Sequence, residues 1–193
     1  AALAATTLPG VEDIRPEKFL PSSRSIAFRK SAWEQVNGYP EWLDYCEDLI
    51  FDFALRAQNF RFVFAPQARV YFRPRPSLTA FFKQYYQYAR GDGKANLWFL
   101  RHAIRYATYF IVLPFSVALW FLGLGILGIG ILILGFVAMV YTPYQRLFPM
   151  LKNFSFAARV RAMLWVPVIR VTGDIAKMLG YPAGGVWRWQ NGK

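Results

Sequence analysis

The chain has one cysteine, Cys46, and one histidine, His102, among 193 residues. A lone cysteine excludes an internal disulfide framework and a cysteine-based metal site of its own. A lone histidine argues against a His-rich metal site and against a Ser-His-Asp triad. Acid is scarce after the first quarter: nine of the eleven Asp and Glu lie at or before Asp52, leaving only Asp92 and Asp174 beyond it. No Asp-x-Asp occurs, and no internal repeat or low-complexity region stands out. Residues 1–10 lack a basic stretch followed by a long apolar one, so no signal peptide is read there. The absence of an initial Met reads as a piece of a longer chain.

The base is abundant and unevenly placed. The net charge is +12, and eighteen of the 23 Lys and Arg lie after residue 53. Such an excess suits nucleic acid, an anionic membrane surface or phosphate-bearing substrates. The apolar pattern separates these. Tyr106–Gln145 is 40 residues without a formal charge. One helix of that length would reach about 60 Å, twice the hydrocarbon core, so the run predicts two spans in a tight hairpin. They are placed at 104–122 and 125–143, with the turn at Gly123-Leu124-Gly125. Lys94, Arg101 and Arg105 flank one end, and Arg146, Lys152, Arg159 and Arg161 the other. By the positive-inside rule both flanks are cytoplasmic. Gly123-Leu124-Gly125-Ile126-Leu127-Gly128 matches GxGxxG, but it sits in the apolar run and reads as turn and close helix packing.

Before the hairpin the pattern is mixed. Residues 25–29, 61–64 and 68–72 are strand-like, the last two divided by Pro66. Ser31 is placed to cap a short helix through Val36, closed by Asn37-Gly38. Glu47–Gln58 reads as a largely buried helix that opens on acids and closes at Asn59. Residues 77–105 are aromatic and basic, one or two helices at a membrane interface. After the hairpin, residues 154–179 carry too many charges for an ordinary span and read as an amphipathic surface helix ending at Tyr181-Pro182-Ala183-Gly184-Gly185.

Two segments carry chemistry. In Gly38-Tyr39-Pro40-Glu41-Trp42-Leu43-Asp44-Tyr45-Cys46-Glu47-Asp48, a turn delivers adjacent carboxylates to a helix start. Acids there usually serve only the helix dipole, yet a carboxylate on a cleft wall also takes a proton from an attacking hydroxyl. Gln84-Tyr85-Tyr86-Gln87-Tyr88-Ala89-Arg90-Gly91-Asp92-Gly93-Lys94 combines aromatics with Gln and Arg, suited to sugar faces and phosphate. Its competing reading is an interfacial aromatic belt with snorkelling cations.

Taken in order, residues 21–96 resemble the C-terminal half of a membrane-bound family 2 glycosyltransferase, the inverting GT-A type. The likeness lies in Pro21–Lys30, in Trp33–Glu41, in Cys46-Glu47-Asp48, and in Leu55-Arg56 followed by Phe60–Pro66. Gln84–Gly91 is similar to the Q-x-x-R-W element of processive members. Residues 164–185 look like the tail of bacterial polysaccharide-type members.

The resemblance implies an α/β fold, a partial GT-A domain followed by a transmembrane hairpin and amphipathic interfacial helices. Residues 1–76 would be its acceptor side, without the donor-binding half. Residues 77–103 would be the interfacial helices, 104–143 the spans and 144–193 the surface helix and tail. It implies Asp48 as catalytic base, assisted by Glu47. Trp42, Tyr45, Gln84, Gln87, Tyr88 and Arg90 would contact substrate. The implied partners are a nucleotide-sugar donor, a glycan or lipid-linked acceptor and membrane lipid, with no nucleic acid. A divalent cation (Mg or Mn) is implied for the complete enzyme, its ligands mostly outside this segment. Gln87 and Tyr88 replace the Arg and Trp of Q-x-x-R-W, which leaves Arg90 to supply the charge for the diphosphate contact. Phe72 stands where some members carry a metal-binding His, so no metal ligand is assigned here. The implied location is the inner (plasma) membrane, multi-pass, with the catalytic part cytoplasmic. A non-catalytic membrane module that binds polysaccharide or protein partners is the competing reading.

Overall fold

The computed structural model describes residues 1–8, 19–23, 25–68 and 73–192. In chain order its helices are α1 (Ala2–Thr7), α2 (Lys30–Gln35), α3 (Glu47–Ala57), α4 (Leu78–Lys94), α5 (Phe99–Ala107), a π turn (Thr108–Val112), α6 (Leu113–Phe121), α7 (Gly125–Met150) and α8 (Phe156–Gln190).

No strand occurs among the described residues. Residues 25–29 and 61–64 take no regular structure where strands are expected. They keep half of a strand's signature. Phe62 and Phe64 are half-buried while Arg61, Val63 and Ala65 are exposed, and Ile26 and Phe62 pack on the cluster of Ala32, Phe51 and Leu55. Alternation arises from one face lying on α3. A ladder also needs a second strand at hydrogen-bonding distance, and no described segment supplies one. The third expected strand, 68–72, falls mostly outside the described residues, as do Arg24 and Phe72.

Helix α3 begins where Cys46 turns into the left-handed region at φ 65°. It ends as Asn59 takes φ 59°, a conformation Asn tolerates. Phe51 and Leu55 are buried on its inner side, each contributing roughly 1.5–3 kcal/mol. Helix α2 starts from Arg29 with no side-chain cap, so Ser31 lies inside it rather than capping it; Asn37 and Gly38 close it at φ 59° and 67°.

The largest helix pair is α4 against α8, built on small residues. Gly173, Ala176, Gly180 and Gly184 are buried along one side of α8, and Ala89 and Gly93 along the facing side of α4. A Cβ at Gly180 would strike the Tyr86 carbonyl, and one at Gly184 the Arg90 carbonyl. These glycines therefore permit backbone-to-backbone approach.

The same fact corrects the expected end of α8. Residues 181–185 do not stop the helix, which continues to Gln190. Gly184 lies in the α4 contact, and Pro182 is accommodated by a neighbour. Proline leaves the carbonyl four residues back without its amide donor. For Pro182 that carbonyl is Met178, which accepts the Tyr106 hydroxyl. For Pro167 it is Met163, which accepts the Tyr144 hydroxyl at 3.2 Å. The two sites form a Met-Leu-x-x-Pro repeat at 163–167 and 178–182, so the chain does contain a short repeat. Each copy is clipped by a tyrosine from a different hairpin helix.

The hairpin helices run over Phe99–Phe121 and Gly125–Met150, and both are long and apolar enough to cross a membrane. The turn between them falls at Gly123, φ 76°. Gly128 meets the Ser116 carbonyl and Gly125 the Trp120 ring, so the GxGxxG match is turn and packing. Only 11% of each apolar window is buried, so neither is the core helix of a globular unit. The π turn precedes Pro114, and Leu113 N–H donates to Thr108 five residues back. A π turn beside a proline is a recognised way to shift a helix's register. At the other end α1, α7 and α8 meet around Ala5, Val140, Leu147, Leu151 and Val166.

Candidate active site

A cavity of about 600 Å³ opens between the Asp44–Leu49 segment and helices α4, α5 and α8. Gly91 makes the junction possible. A Cβ there would lie 2.6 Å from the Tyr45 carbonyl and 2.9 Å from Cys46 Sγ. The thiol donates to the Tyr88 carbonyl at 3.4 Å and to Asp92 Oδ1 at 3.4 Å. Burial first, and then the Asp92 charge, hold it well above the usual thiol range, so it is a structural group rather than a nucleophile. Cys46 is held left-handed, at a cost of about 1–3 kcal/mol for a non-glycine residue, and such strain concentrates at functional sites.

Asp48 follows two residues later. Its Oδ1 accepts from Leu49 N–H at 2.9 Å and its Oδ2 from Ser23 N–H at 3.3 Å. Both oxygens are oriented by the backbone, and the side chain lines the cavity beside Glu47. No described cation pairs with either carboxylate.

The other wall is basic. Arg75, Arg101, Arg105 and Lys177 line it, with His102, Trp98 and Tyr85. Some of this charge is spent internally. Arg105 Nε donates to Asp174 Oδ1 at 2.8 Å, and Tyr109 OH to Asp174 Oδ2 at 3.2 Å. Buried His102 lies between Arg105 (3.3 Å to Nδ1) and Asp92 (3.2 Å to Nε2), stacked on Tyr181 at 3.9 Å. Arginine only donates, so Nδ1 accepts and Nε2–H donates to Asp92. This polar ladder runs from Cys46 through Asp92, His102 and Arg105 to Asp174, and so joins the acidic loop to α8. The remaining cations are less engaged. Arg101 lies over the Trp98 ring at 4.1 Å, Lys177 over Tyr85 at 5.0 Å, and Arg75 Nε donates to Gln84 Oε1 at 3.4 Å. Burial first, and the nearby Arg105 charge second, pull the Lys177 ammonium down to about 8.

The structure thus brings Tyr45, Glu47, Asp48 and Tyr88 together around one cavity. It places the other expected contacts elsewhere. Gln84 donates to Tyr88 OH at 2.7 Å, where it braces a cavity residue from behind. Arg90 lies 3.7 Å from Asp44 and donates to Gln87 at 3.4 Å. Trp42 stacks on Trp187 at 5.9 Å. Asp44 is held below the usual carboxylate range, first by its 2.9 Å bond from buried Lys94 and then by the nearby cationic charge. Sequence reasoning missed Arg75, Lys177 and the inward role of Arg101 and Arg105. The signal for Arg105 was the alternation in 99–107: Phe99, Leu100, Arg101 and Ile104 are exposed while His102 and Arg105 face in, and nothing in that pattern marks Arg101.

Among the described residues no group of three or more His, Cys, Asp or Glu is placed to hold a metal ion.

The model of the glycosyl transferase family group 2 matches residues 18–169, most of the chain, and the chain belongs to that family. The matched stretch takes in the acidic pair, the Gln84 element and both apolar helices. No curated protein and no solved structure matches the chain. Membership makes it a transferase-family chain with a role in glycosyl transfer.

Proposed function

We propose that this chain forms the acceptor side of an inverting glycosyltransferase that works at a membrane surface and uses a nucleotide-sugar donor. The observation that carries the reading is the cavity itself, with a backbone-oriented Asp48 on one wall and cations on the other. In this mechanism Asp48 takes the proton of an acceptor hydroxyl. The freed oxygen bonds to the anomeric carbon from the face opposite the leaving group. The carbon–oxygen bond to the diphosphate breaks, and the nucleoside diphosphate departs with the electron pair. Glu47 borders the acceptor hydroxyl, and Tyr45 and Tyr88 offer ring faces to sugar.

Residues 25–29, 61–64 and α3 fit the acceptor side of a GT-A domain whose sheet would pair with the two extended segments. In this reading the hairpin is embedded in the inner membrane with both ends cytoplasmic, which its apolar surface and basic flanks support. The exposed Leu164, Val168, Ile175, Leu179 and Val186 form one stripe along α8, which lies on the bilayer surface.

Asp48→Asn in the full-length enzyme keeps the shape and loses the base. The expected result is a fall in transfer of at least about 100-fold with donor binding retained. Transfer at wild-type rate would refute the assignment.

A further inference from the structure

We infer that the cations of the cavity wall form a phosphate subsite for a lipid-linked acceptor, with the phosphate lying between the lipid and the sugar that Asp48 deprotonates. The inference rests on the transferase reading above and names the acceptor class. Three observations carry it.

First, Arg75, Arg101 and Lys177 have no carboxylate within ion-pair distance among the described residues, although Arg90, Lys94 and Arg105 are all satisfied that way. Lys177 is held largely inside the protein on an aromatic face. Arg75 and Arg101 are exposed, and the Asp174 and Asp92 charges act on Lys177 without reaching ion-pair distance, so all three cations can turn their charge to an anionic ligand. Second, these residues share the cavity with Asp48. A group bound by these cations therefore lies in the same cavity as the base. Third, the basic wall continues directly into the lipid-facing surface. Arg101 and Arg105 sit on α5, whose Phe99, Leu100 and Ile104 are 67%, 69% and 58% exposed, and α5 runs on through the π turn into the apolar α6. One short helix thus presents cations to the cavity and apolar side chains to the bilayer. An amphiphile follows the same order: tail on the α5 apolar face, phosphate on the cations, hydroxyl at Asp48. A soluble glycan acceptor would have no use for that continuity.

The test uses the full-length protein in phosphatidylcholine nanodiscs, with hexadecyl phosphate as probe and hexadecanol and nucleoside diphosphates as comparisons. Wild type is expected to bind hexadecyl phosphate and not hexadecanol. The double variant Arg101→Gln/Lys177→Gln is expected to bind it about tenfold more weakly or worse, with nucleoside diphosphate binding unchanged. The charge-keeping pair Arg101→Lys/Lys177→Arg is expected to retain most of the affinity, which separates loss of charge from loss of fold. Unchanged hexadecyl phosphate affinity in the Gln pair would overturn the subsite. So would an equal loss of nucleoside diphosphate binding, because the wall would then serve the donor. Asp48→Asn keeps the two ideas apart. It should bind hexadecyl phosphate normally, so turnover in that variant would refute the transfer mechanism while leaving the phosphate subsite standing.

Discussion

Asp52 lies one helical turn after Asp48 and one turn before Arg56, and it is 1% exposed. Its Oδ2 has no hydrogen-bond partner in the structure. Burial first and the Asp48 charge second raise its carboxyl to about 7, against the pull of Arg56. Keeping the proton from about pH 4 to about pH 7 corresponds to roughly 4 kcal/mol, at about 1.4 kcal/mol per tenfold change in proton concentration. Relaxation around the buried charge lowers the realised penalty, to roughly 2–4 kcal/mol. The folded state binds the proton more tightly than the unfolded chain. The contribution of Asp52 to stability is therefore most favourable below about pH 4, becomes a growing penalty as pH rises towards 7, and levels off above that. Asp52→Asn removes the ionisation and keeps the volume. It is expected to flatten that slope and to raise the melting temperature at pH 8 by about 5 °C or more. The difference should shrink to near zero at pH 4. The assay is thermal unfolding in a neutral detergent, followed by tryptophan fluorescence from pH 4 to 8. A variant with the wild-type slope, or one less stable than wild type at pH 8, would refute the reasoning.

The α4–α8 contact makes a steric prediction. Gly184→Leu forces a side chain into the Arg90 carbonyl and the Gly93 backbone, and is expected to cost about 3 kcal/mol or more. Gly130→Ala meets nothing within 4 Å and should leave the melting temperature within a degree or so of wild type or above it. The proline clips make a coupling prediction. Tyr106→Phe strips the hydroxyl from the Met178 carbonyl and should cost about 1 kcal/mol. In a Pro182→Ala background the helix restores its own donor to that carbonyl, so the same change should cost less than half as much. A double-mutant cycle on thermal unfolding reads this directly, and strictly additive costs would exclude the clip.

The charge-free run gave the hairpin and its Gly123 turn because bilayer-length apolar segments leave few alternatives. Helix α3 was legible from its acids, its apolar spacing and Asn59. Four features depend on neighbours and were hidden. The extended segments 25–29 and 61–64 carry strand alternation, but the ladder is a property of two strands, so one sequence window cannot show it. Gly184 and Gly185 read as part of a helix end because glycine's local cost is visible in sequence and the packing role of Gly184 is not. Pro182 read as a stop because Tyr106, 76 residues earlier, supplies what the proline removes. Arg101 and Arg105 read as membrane flank because the Trp98 ring under Arg101, and the His102 and Asp174 partners of Arg105, do not show in a flank's charge pattern. In the site, the acidic pair was found from local sequence, whereas its basic counterpart, drawn from α5, α8 and the segment before α4, was not.

These hidden features form one mechanical path. The left-handed turn at Cys46 is unfavourable alone, and what holds it is α4, through Gly91 and the Tyr88 and Asp92 acceptors. Helix α4 is in turn placed by backbone contact with α8, and α8 is clipped to both hairpin helices by Tyr106 and Tyr144. The Asp48 carboxylate thus takes its position from the hairpin through a chain of close contacts, each rigid because it uses backbone or a buried polar bond. A hairpin that merely tethered the domain would need none of them. Cutting one link, Tyr106 or Gly184, should therefore shift the orientation of Asp48 as well as stability, and transfer rate should fall before the fold is lost. Variants whose activity tracks only the folded fraction would show that the hairpin is a tether after all.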